Sequence, residues 1–287
     1  MSIVTSNNKF CDLHVHSNNS DGTNTPKELI EIAEQIGLSA IALCDHNTVK
    51  GLRDFLLAAV SSSVEAVPGI EITADFNGKE VHILGLFVNL TRLDEIENYV
   101  SQISKYKEES NSNLINALKS VGINLDYDEM VSNANGAYVN RVHFAKAMIN
   151  SGYVESISEA FERYLDEDKG YYVPAKRLSA FEVIEFLIGV NAMPVLAHPL
   201  LNLSQEELEQ FLPQAKVIGL TAMETNYSLY DKSKTNTAIA LANKYDLLLS
   251  GGSDYHGKNK PNISMGVGKG DLFVPAEYYE RMKKISL

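Results

Sequence analysis

The sequence predicts an α/β fold in which parallel strands form a barrel and a helical insertion interrupts it. Strand-like runs alternate with amphipathic helices from Phe10 to about Val88 and again from Met193 onward, the pattern of parallel strands joined by crossover helices. Between them the chain reads as mostly helix. Histidines and carboxylates also collect at the ends of the strand-like runs, where a barrel of parallel strands gathers side chains into one mouth.

The first run is Phe10-Cys11-Asp12-Leu13-His14-Val15-His16. A period of two sets Asp12, His14 and His16 on one face and Cys11, Leu13 and Val15 on the other. Asp21 follows in a turn that Gly22 permits. Thr25, Pro26 and Glu28 read as N-cap, first helical residue and capping-box partner. The helix they open carries Leu29, Ile30, Ile32, Ala33 and Ile36 on one stripe and ends at Gly37. Ser39–Cys44 is small and apolar throughout, as in a strand buried on both faces, and ends in Asp45-His46. A helix over about Thr48–Ser61 leads to a strand, Val64–Thr73, that carries Glu71. Asn77-Gly78 predicts a tight hairpin, and the returning strand, Glu80–Val88, carries His82.

Helices are predicted over Asp94–Val121, near Tyr127, and over Asn140–Ser151, Ser158–Leu165 and Ser179–Gly189, with caps at Asn140, Ser158 and Ser179. Residues 103–185 read as a helical insertion or cap domain, which leaves 10–102 and 186–287 as a discontinuous barrel. Alternation resumes with Met193–His198, a capping box at Ser204–Glu207, strand Gly219–Glu224, helix Asp231–Tyr245 and strand Leu247–Gly251, which runs into Ser253-Asp254-Tyr255-His256. A short strand at Ile263–Val267 and a helix at Pro275–Ile285 complete the reading.

The chain has 287 residues, 45% of them hydrophobic, and a net charge of -12. That balance argues against a broad duplex-DNA surface, which needs clustered Lys and Arg, and leaves room for a small anionic substrate held by local cations and metals. The two cysteines, Cys11 and Cys44, form no Cys-x-x-Cys pair, so a reducing cytoplasm is the simplest compartment and both read as small buried residues. Met1–Lys9 lacks the apolar core of a signal peptide, and no apolar run approaches the roughly 18 residues of a membrane span.

Six of the seven histidines, His14, His16, His46, His82, His198 and His256, fall in predicted strands or in the turn just after one. Asp21, Asp45, Glu71 and Asp254 occupy comparable places. One such histidine is most simply a satisfied core residue; six so placed predict a multinuclear metal site. Imidazole with carboxylate suits Zn2+, Mn2+ or Fe2+ better than Mg2+. Two ions about 3.5–4 Å apart are a common apparatus for phosphate ester hydrolysis and need no Ser or Cys nucleophile.

The motifs Asp-Leu-His-Val-His-Ser (12–17), Ser-Asp-Gly (20–22), Asp-His (45–46), Gly-Ile-Glu (69–71), Val-His-Ile-Leu-Gly (81–85), Ala-His-Pro (197–199) and Gly-Ser-Asp-Tyr-His (252–256) resemble, in order and spacing, the polymerase and histidinol phosphatase (PHP) family. The resemblance implies a distorted (β/α)7 barrel that hydrolyses phosphoesters with a metal-bound hydroxide at a site of two or three divalent ions. By motif, His14, His16, Glu71 and Asp254 would hold one ion, Glu71 would bridge to a second held by His82 and His198, and Asp21, His46 and His256 would hold a third. The attacking water would be positioned by Glu71, Asp254 and His198.

Within the insertion, Asn140-Arg141-Val142-His143-Phe144-Ala145, Ala160-Phe161 with Tyr164-Leu165, and Tyr172-Val173-Pro174 resemble the bacterial nucleotide-phosphatase branch of PHP proteins. That branch implies a nucleoside 3′,5′-bisphosphate, a 5′-mononucleotide such as AMP, or the 5′ end of short RNA as substrate. Arg141 and Lys176 would reach the phosphate, Arg as a bidentate fork and Lys as a point charge; for His143, substrate contact and helix packing stand equal. The chain departs from the family pattern at Asn47, commonly Asp, and at Asn140 and Val142, commonly Gly and Pro. Asn47 is expected to remove an acceptor that orients a neighbouring ligand.

Stepwise 5′→3′ hydrolysis of short RNA is the alternative activity and needs stacking aromatics, for which Tyr138, Tyr171, Tyr172 and Tyr227 are candidates. A non-catalytic metal-binding PHP module and a histidinol phosphate phosphatase are further alternatives. The full set of candidate ligands argues against the first, and the insertion against the second.

Overall fold

The structure, a computed structural model, describes residues 9–133 and 139–286; Tyr138 lies outside them. The chain folds into two compact units, Met1–Tyr99 with Leu178–Leu287, and Val100–Arg177.

The first unit is a nearly closed barrel. Its strands are β1 (Cys11–Val15), β2 (Ala40–Leu43), β3 (Glu65–Phe76), β4 (Lys79–Leu86), the two-residue β5 (Leu178–Ser179), β6 (Met193–Leu196), β7 (Ala222–Tyr227) and β8 (Leu248–Gly252). The sheet order is β1-β2-β3-β4-β6-β7-β8, with β5 paired to β3. Beyond β8 the chain returns to β1: the Asp254 amide donates to the His14 carbonyl at 2.8 Å and the His16 amide to the Tyr255 carbonyl at 2.9 Å. Helices α1 (Pro26–Ile36) and α2 (Leu52–Ala59) join the first three strands.

Not every strand is parallel. β4 runs antiparallel to both neighbours, β3 and β6, because the Asn77-Gly78 turn leaves no room for a crossover helix. Both turn residues have positive φ, 52° and 81°, and Asp75 accepts the Gly78 amide at 3.0 Å. The reversal sets the beginning of β4, with His82, beside the C-terminal ends of its neighbours β3 and β6.

β1 corrects the simple alternation. Asp12 pairs with Ile41 but Val15 pairs with Leu43, so three steps on β1 match two on β2. This bulge shifts the period. Cys11 and Leu13 pack with Ala42, Val67, Leu84, Val195 and Ala222 in the cluster that fills the barrel. His14 and His16 then turn to the same interior, and Asp12 is left on the other face, where it accepts the Ser253 and Gly266 amides at 2.8 and 2.7 Å. On β3, β4 and β7 the polar residues Glu71, His82 and Glu224 share the face of Val67, Leu84 and Ala222 by the period of two.

Helix α3 (Leu93–Ser120) begins in the first unit and continues into the second. The second unit also holds α4 (Tyr127–Asn133), α5 (Arg141–Asn150) and α6 (Ile157–Ala160), around a core that includes Leu114, Leu118, Phe144, Met148 and Leu165. Asn140 caps α5, but the cap of α6 is Ser156 rather than Ser158. After one α-turn, Phe161–Leu165 widens into a π-helical turn.

The second unit ends at Arg177, where the sequence reading extends the insertion to 185. The difference lies in α7 (Ala180–Gly189), whose Ala180, Val183, Ile184 and Leu187 are buried and which packs on β3, β4 and β6. The barrel unit continues with α8 (Pro199–Asn202), α9 (Gln205–Ile218), α10 (Lys232–Lys244) and α11 (Ala276–Ser286). The strand expected at 263–267 is instead a looped turn closed by a Ser264–Gly268 bridge, because Gly266 and Gly268 take φ of 75° and 57°. Among the described residues no helix is long and apolar enough to cross a membrane.

Candidate metal centre

Each of the nine predicted ligands is delivered by a local device. The β1 bulge turns in His14 and His16. The next turn is tied down by Asp45, which accepts the Ser17 amide at 2.8 Å and the Ser17 and Ser20 hydroxyls at 2.6 Å each, and this turn presents Asp21. Asp45 thus acts as an anchor and belongs to none of the metal-holding groups found among the described residues. His46 follows β2, and the Asn47 amide donates to the Glu71 carbonyl at 2.8 Å.

Asn47 has φ 53°, where asparagine is favoured. Its side chain donates to the Thr73 hydroxyl and accepts the Thr73 amide, at 3.1 and 3.0 Å. A carboxylate could not make the donating half of this pair, so Asn47 pins the strand that carries Glu71. The two remaining interior strand ends use left-handed backbone at the ligands themselves, with φ 28° at His198 and 57° at Asp254. Such strain persists where its surroundings hold it: Glu224 accepts the His198 amide at 2.7 Å, and the His14 carbonyl accepts that of Asp254 at 2.8 Å.

Glu71 lies at the centre. Its Oε1 is 2.8 Å from His82 Nδ1 and 3.1 Å from His198 Nε2. Its Oε2 is 3.2, 3.4 and 3.0 Å from His14 Nε2, His16 Nε2 and His46 Nδ1. Asp254 Oδ1 is 3.1 Å from His16 Nε2, and Asp21 Oδ1 is 3.2 Å from His256 Nε2. The donor atoms fall into four overlapping groups, each within 4.8 Å: His16, Asp21, His46 and His256; His14, Glu71 and His198; His14, His16 and Asp254; and His46, Glu71 and His82. All nine predicted ligands are included.

These groups suit divalent ions. Buried His14 Nε2, both ring nitrogens of His16, Glu71 Oε2 and His256 Nε2 have no hydrogen-bond partner. Unmet buried polar atoms cost about 1–3 kcal/mol each, and cations coordinated there would remove the deficit. Imidazole rings stand only 4.1 Å apart between centroids for His16 and His256 and 4.6 Å for His16 and His46.

Burial opposes charge throughout, and the outcome depends on neighbours. For His14, burial is outweighed by the Glu71 and Glu224 carboxylates, which hold the imidazole well above its ordinary range. His82, partly buried, is pushed up to about 10 by Glu71 against that burial. Burial together with the nearby His256 and His46 holds His16 well below, and burial lowers His46. Burial alone would raise Glu71 and Asp254, but His46, His14 and His82 around the first, and His16 and His14 around the second, hold both well below the carboxylate range. Asp21 is lowered in the same way, chiefly by His256 against its own burial.

The PHP domain model matches residues 12–177, more than half of the chain. The chain belongs to the PHP domain family. It is 31% identical over 249 residues to a 5′-3′ exoribonuclease of Haemophilus influenzae, covering 86% of this chain and 90% of the relative. It is 26% identical over 257 residues to a 3′,5′-nucleoside bisphosphate phosphatase of Chromobacterium violaceum, covering 89% and 90%. The solved structure of a Bifidobacterium adolescentis protein, named provisionally as a metal-dependent phosphoesterase, superposes with TM-score 0.73 at 26% identity over 95% of both chains. The protein is therefore a PHP phosphoesterase with candidate metal-binding groups at its barrel mouth.

Two partners of this PHP site, Glu224 and Lys260, were not assigned roles from sequence, and a third, Tyr227, was read only as a stacking candidate. Glu224 Oε1 is 3.1 Å from His14 Nδ1, which fixes that ring and leaves Nε2 for a metal. Asp254 Oδ2 accepts from the Tyr227 hydroxyl and from Lys260 Nζ, both at 2.8 Å. Tyr227 is thus engaged by the ligand set rather than free as a stacking platform. The signal for Glu224 was its place at a strand end; Lys260 carried no signal short of the fold.

The predicted substrate residues lie in the second unit, each with partners there. Arg141 donates to the Leu165 carbonyl at 3.2 Å and sits 4.5 Å over the Tyr172 ring. Lys176 lies 5.4 Å over Tyr106. His143 completes the α5 capping box through Asn140 and lines a cavity with Asp126, Glu129 and Lys146.

Proposed function

We propose that this chain hydrolyses a phosphate monoester of a nucleotide, either a nucleoside 3′,5′-bisphosphate or a 5′-mononucleotide such as AMP. The observation that carries the reading is the convergence of all nine ligand side chains around Glu71, with buried donor atoms unmet. When bound, divalent ions here would polarise a phosphoryl oxygen and acidify a water. Support comes also from the bisphosphate phosphatase relative.

The chain's own residues organise the rest. Glu71 faces His82 and His198 with one oxygen and His14, His16 and His46 with the other, which supports it as the bridging carboxylate between two ions. Asp21 with His256 and His46 supports a third position. Glu224 orients His14, and Tyr227 with Lys260 occupies Asp254 Oδ2, so that Oδ1 is the oxygen turned to the histidines. Arg141, Lys176 and His143 are carried as substrate-binding residues in this reading, with Mn2+, Zn2+ or Fe2+ as the ion. The buried, unpaired Cys11 and Cys44 suit a reducing cytoplasm.

Stepwise 5′→3′ cleavage of short RNA is the second reading, favoured by the Haemophilus influenzae relative. Metal-loaded protein is to be incubated with adenosine 3′,5′-bisphosphate, AMP and a 5′-phosphorylated RNA pentamer. Inorganic phosphate from the first two supports the phosphatase; mononucleotides from the pentamer support the second reading; no turnover at full metal content rejects both. Arg141→Ala should raise nucleotide KM, and unchanged KM and kcat would remove Arg141 from the substrate set.

A further inference from the structure

Beside the metal ligands, within the barrel unit, lies a second feature that the proposed chemistry does not use. A cavity of about 250 Å³ is lined by Asp254, Tyr227, Leu229, Pro261 and Ile263, together with Lys260 and Lys269. Asp254 is common to this cavity and to the metal-holding groups.

The loop that bears Lys269 is held in place by close backbone approach. The Gly266 amide donates to Asp12 at 2.7 Å. A Cβ on Gly268 would lie 2.6 Å from the Ser228 hydroxyl oxygen, so only glycine lets this turn lie against Ser228, another lining residue. Ser228 in turn donates to the Ser253 carbonyl at 2.6 Å. The Ser264–Gly268 pair exchanges two backbone hydrogen bonds of 2.8 Å. Lys269 is thus fixed to the barrel end at its backbone, and among the described residues no carboxylate lies in ion-pair range of its ammonium.

The charge balance favours an anion. The cavity's charged lining is two lysines and one aspartate, and that aspartate is committed to the metal ligands. Lys260 gives one of its three donors to Asp254 Oδ2 at 2.8 Å, leaving two. The remaining wall is largely apolar, with Ser228 and Asn262 as hydrogen-bonding groups. A bare phosphate would waste the apolar wall, and a neutral apolar ligand would leave two ammonium groups unmatched. A sugar-bearing second phosphate satisfies both.

We propose that this cavity is the subsite for the portion of a phosphorylated substrate beyond the phosphoryl group under attack, and that Lys260 and Lys269 hold a second phosphate there. The inference rests on the phosphoesterase reading. The second phosphate has two possible sources, the other phosphate of a nucleoside bisphosphate or the neighbouring phosphodiester of a short RNA.

Lys269 makes the test, because Lys260 also touches a metal ligand. Wild type, Lys269→Ala, Lys269→Glu and Lys269→Arg, each with its metal content measured, are assayed on adenosine 3′,5′-bisphosphate, AMP and the RNA pentamer. In the Ala variant the ratio of kcat/KM for bisphosphate over AMP should fall about tenfold or more, through KM. The Glu variant should fall further and the Arg variant recover most of the loss. A fall confined to the pentamer-to-AMP ratio supports the same subsite with the phosphodiester as occupant. If both ratios move less than about threefold in the Ala and Glu variants, the subsite is wrong while the phosphatase reading stands. If the wild type turns over none of the three, the functional reading fails and this inference with it.

Discussion

Glu224 contacts the His14 ring with one carboxylate oxygen and the His198 amide with the other, so one buried side chain orients two candidate ligands from different strands. Glu224→Gln keeps the shape and removes the charge. It should weaken Mn2+ affinity about 10–100-fold, measured by competition with a chromogenic chelator, and an unchanged affinity would show that Glu224 does not act on the metal set. Protonation adds a second prediction. Without metal, His14 is held well above its usual range and His82 at about 10, so both are cationic at pH 7. Metal must displace protons to bind them; hence loading at pH 7 should release protons, and affinity should rise with pH. Calorimetry in buffers of different ionisation enthalpy reads this directly, and a buffer-independent heat would contradict it. The histidines and carboxylates that converge around Glu71 were legible at this scale, because so many of them fall at strand ends. Asp12 and Asp45 were not, since they share the residue type and place of ligands and differ only in being saturated by Ser253, Gly266, Ser17 and Ser20.

At the scale of elements, closure of the barrel depends on contact between β8 and β1. A Cβ on Gly252 would lie 2.6 Å from the His14 amide nitrogen and 2.9 Å from its Cα. Backbone cannot yield as a flexible side chain does, so Gly252→Ala should destabilise the protein by about 1–3 kcal/mol and reduce metal content by displacing His14. Urea unfolding with metal analysis checks both, and wild-type values would show that β1 tolerates the shift. The helices and most strands followed from capping boxes and apolar runs, as at Thr25–Glu28 and Ser204–Glu207. Asn77-Gly78 foretold the hairpin and so the reversed β4. The β1 bulge escaped because Asp12, Leu13, His14 and Val15 alternate perfectly in sequence; the extra residue exists only in the pairing with β2. The strand expected at 263–267 failed because Gly266 and Gly268 take positive φ, which an apolar run conceals.

For the whole molecule, the cluster couples metal to stability. Buried nitrogens of His14, His16 and His256 and one Glu71 oxygen await partners, so ions that bind only the folded chain stabilise it by mass action, about 4 kcal/mol at a thousandfold excess over Kd. Stripping with EDTA should therefore lower Tm by about 5–15 °C, restored by Mn2+; a Tm indifferent to chelation would separate the cluster from metal. That the chain divides in two was legible from the break in alternation. The division at Leu178 was not, because α7 reads as one more helix until its buried face is seen against β4 and β6.

The most direct test of the account is phosphate release from adenosine 3′,5′-bisphosphate by metal-depleted protein titrated with Mn2+. Release should be absent without metal and should rise to a plateau at about two to three ions per chain. Full occupancy by Mn2+ with no phosphate released would contradict the account.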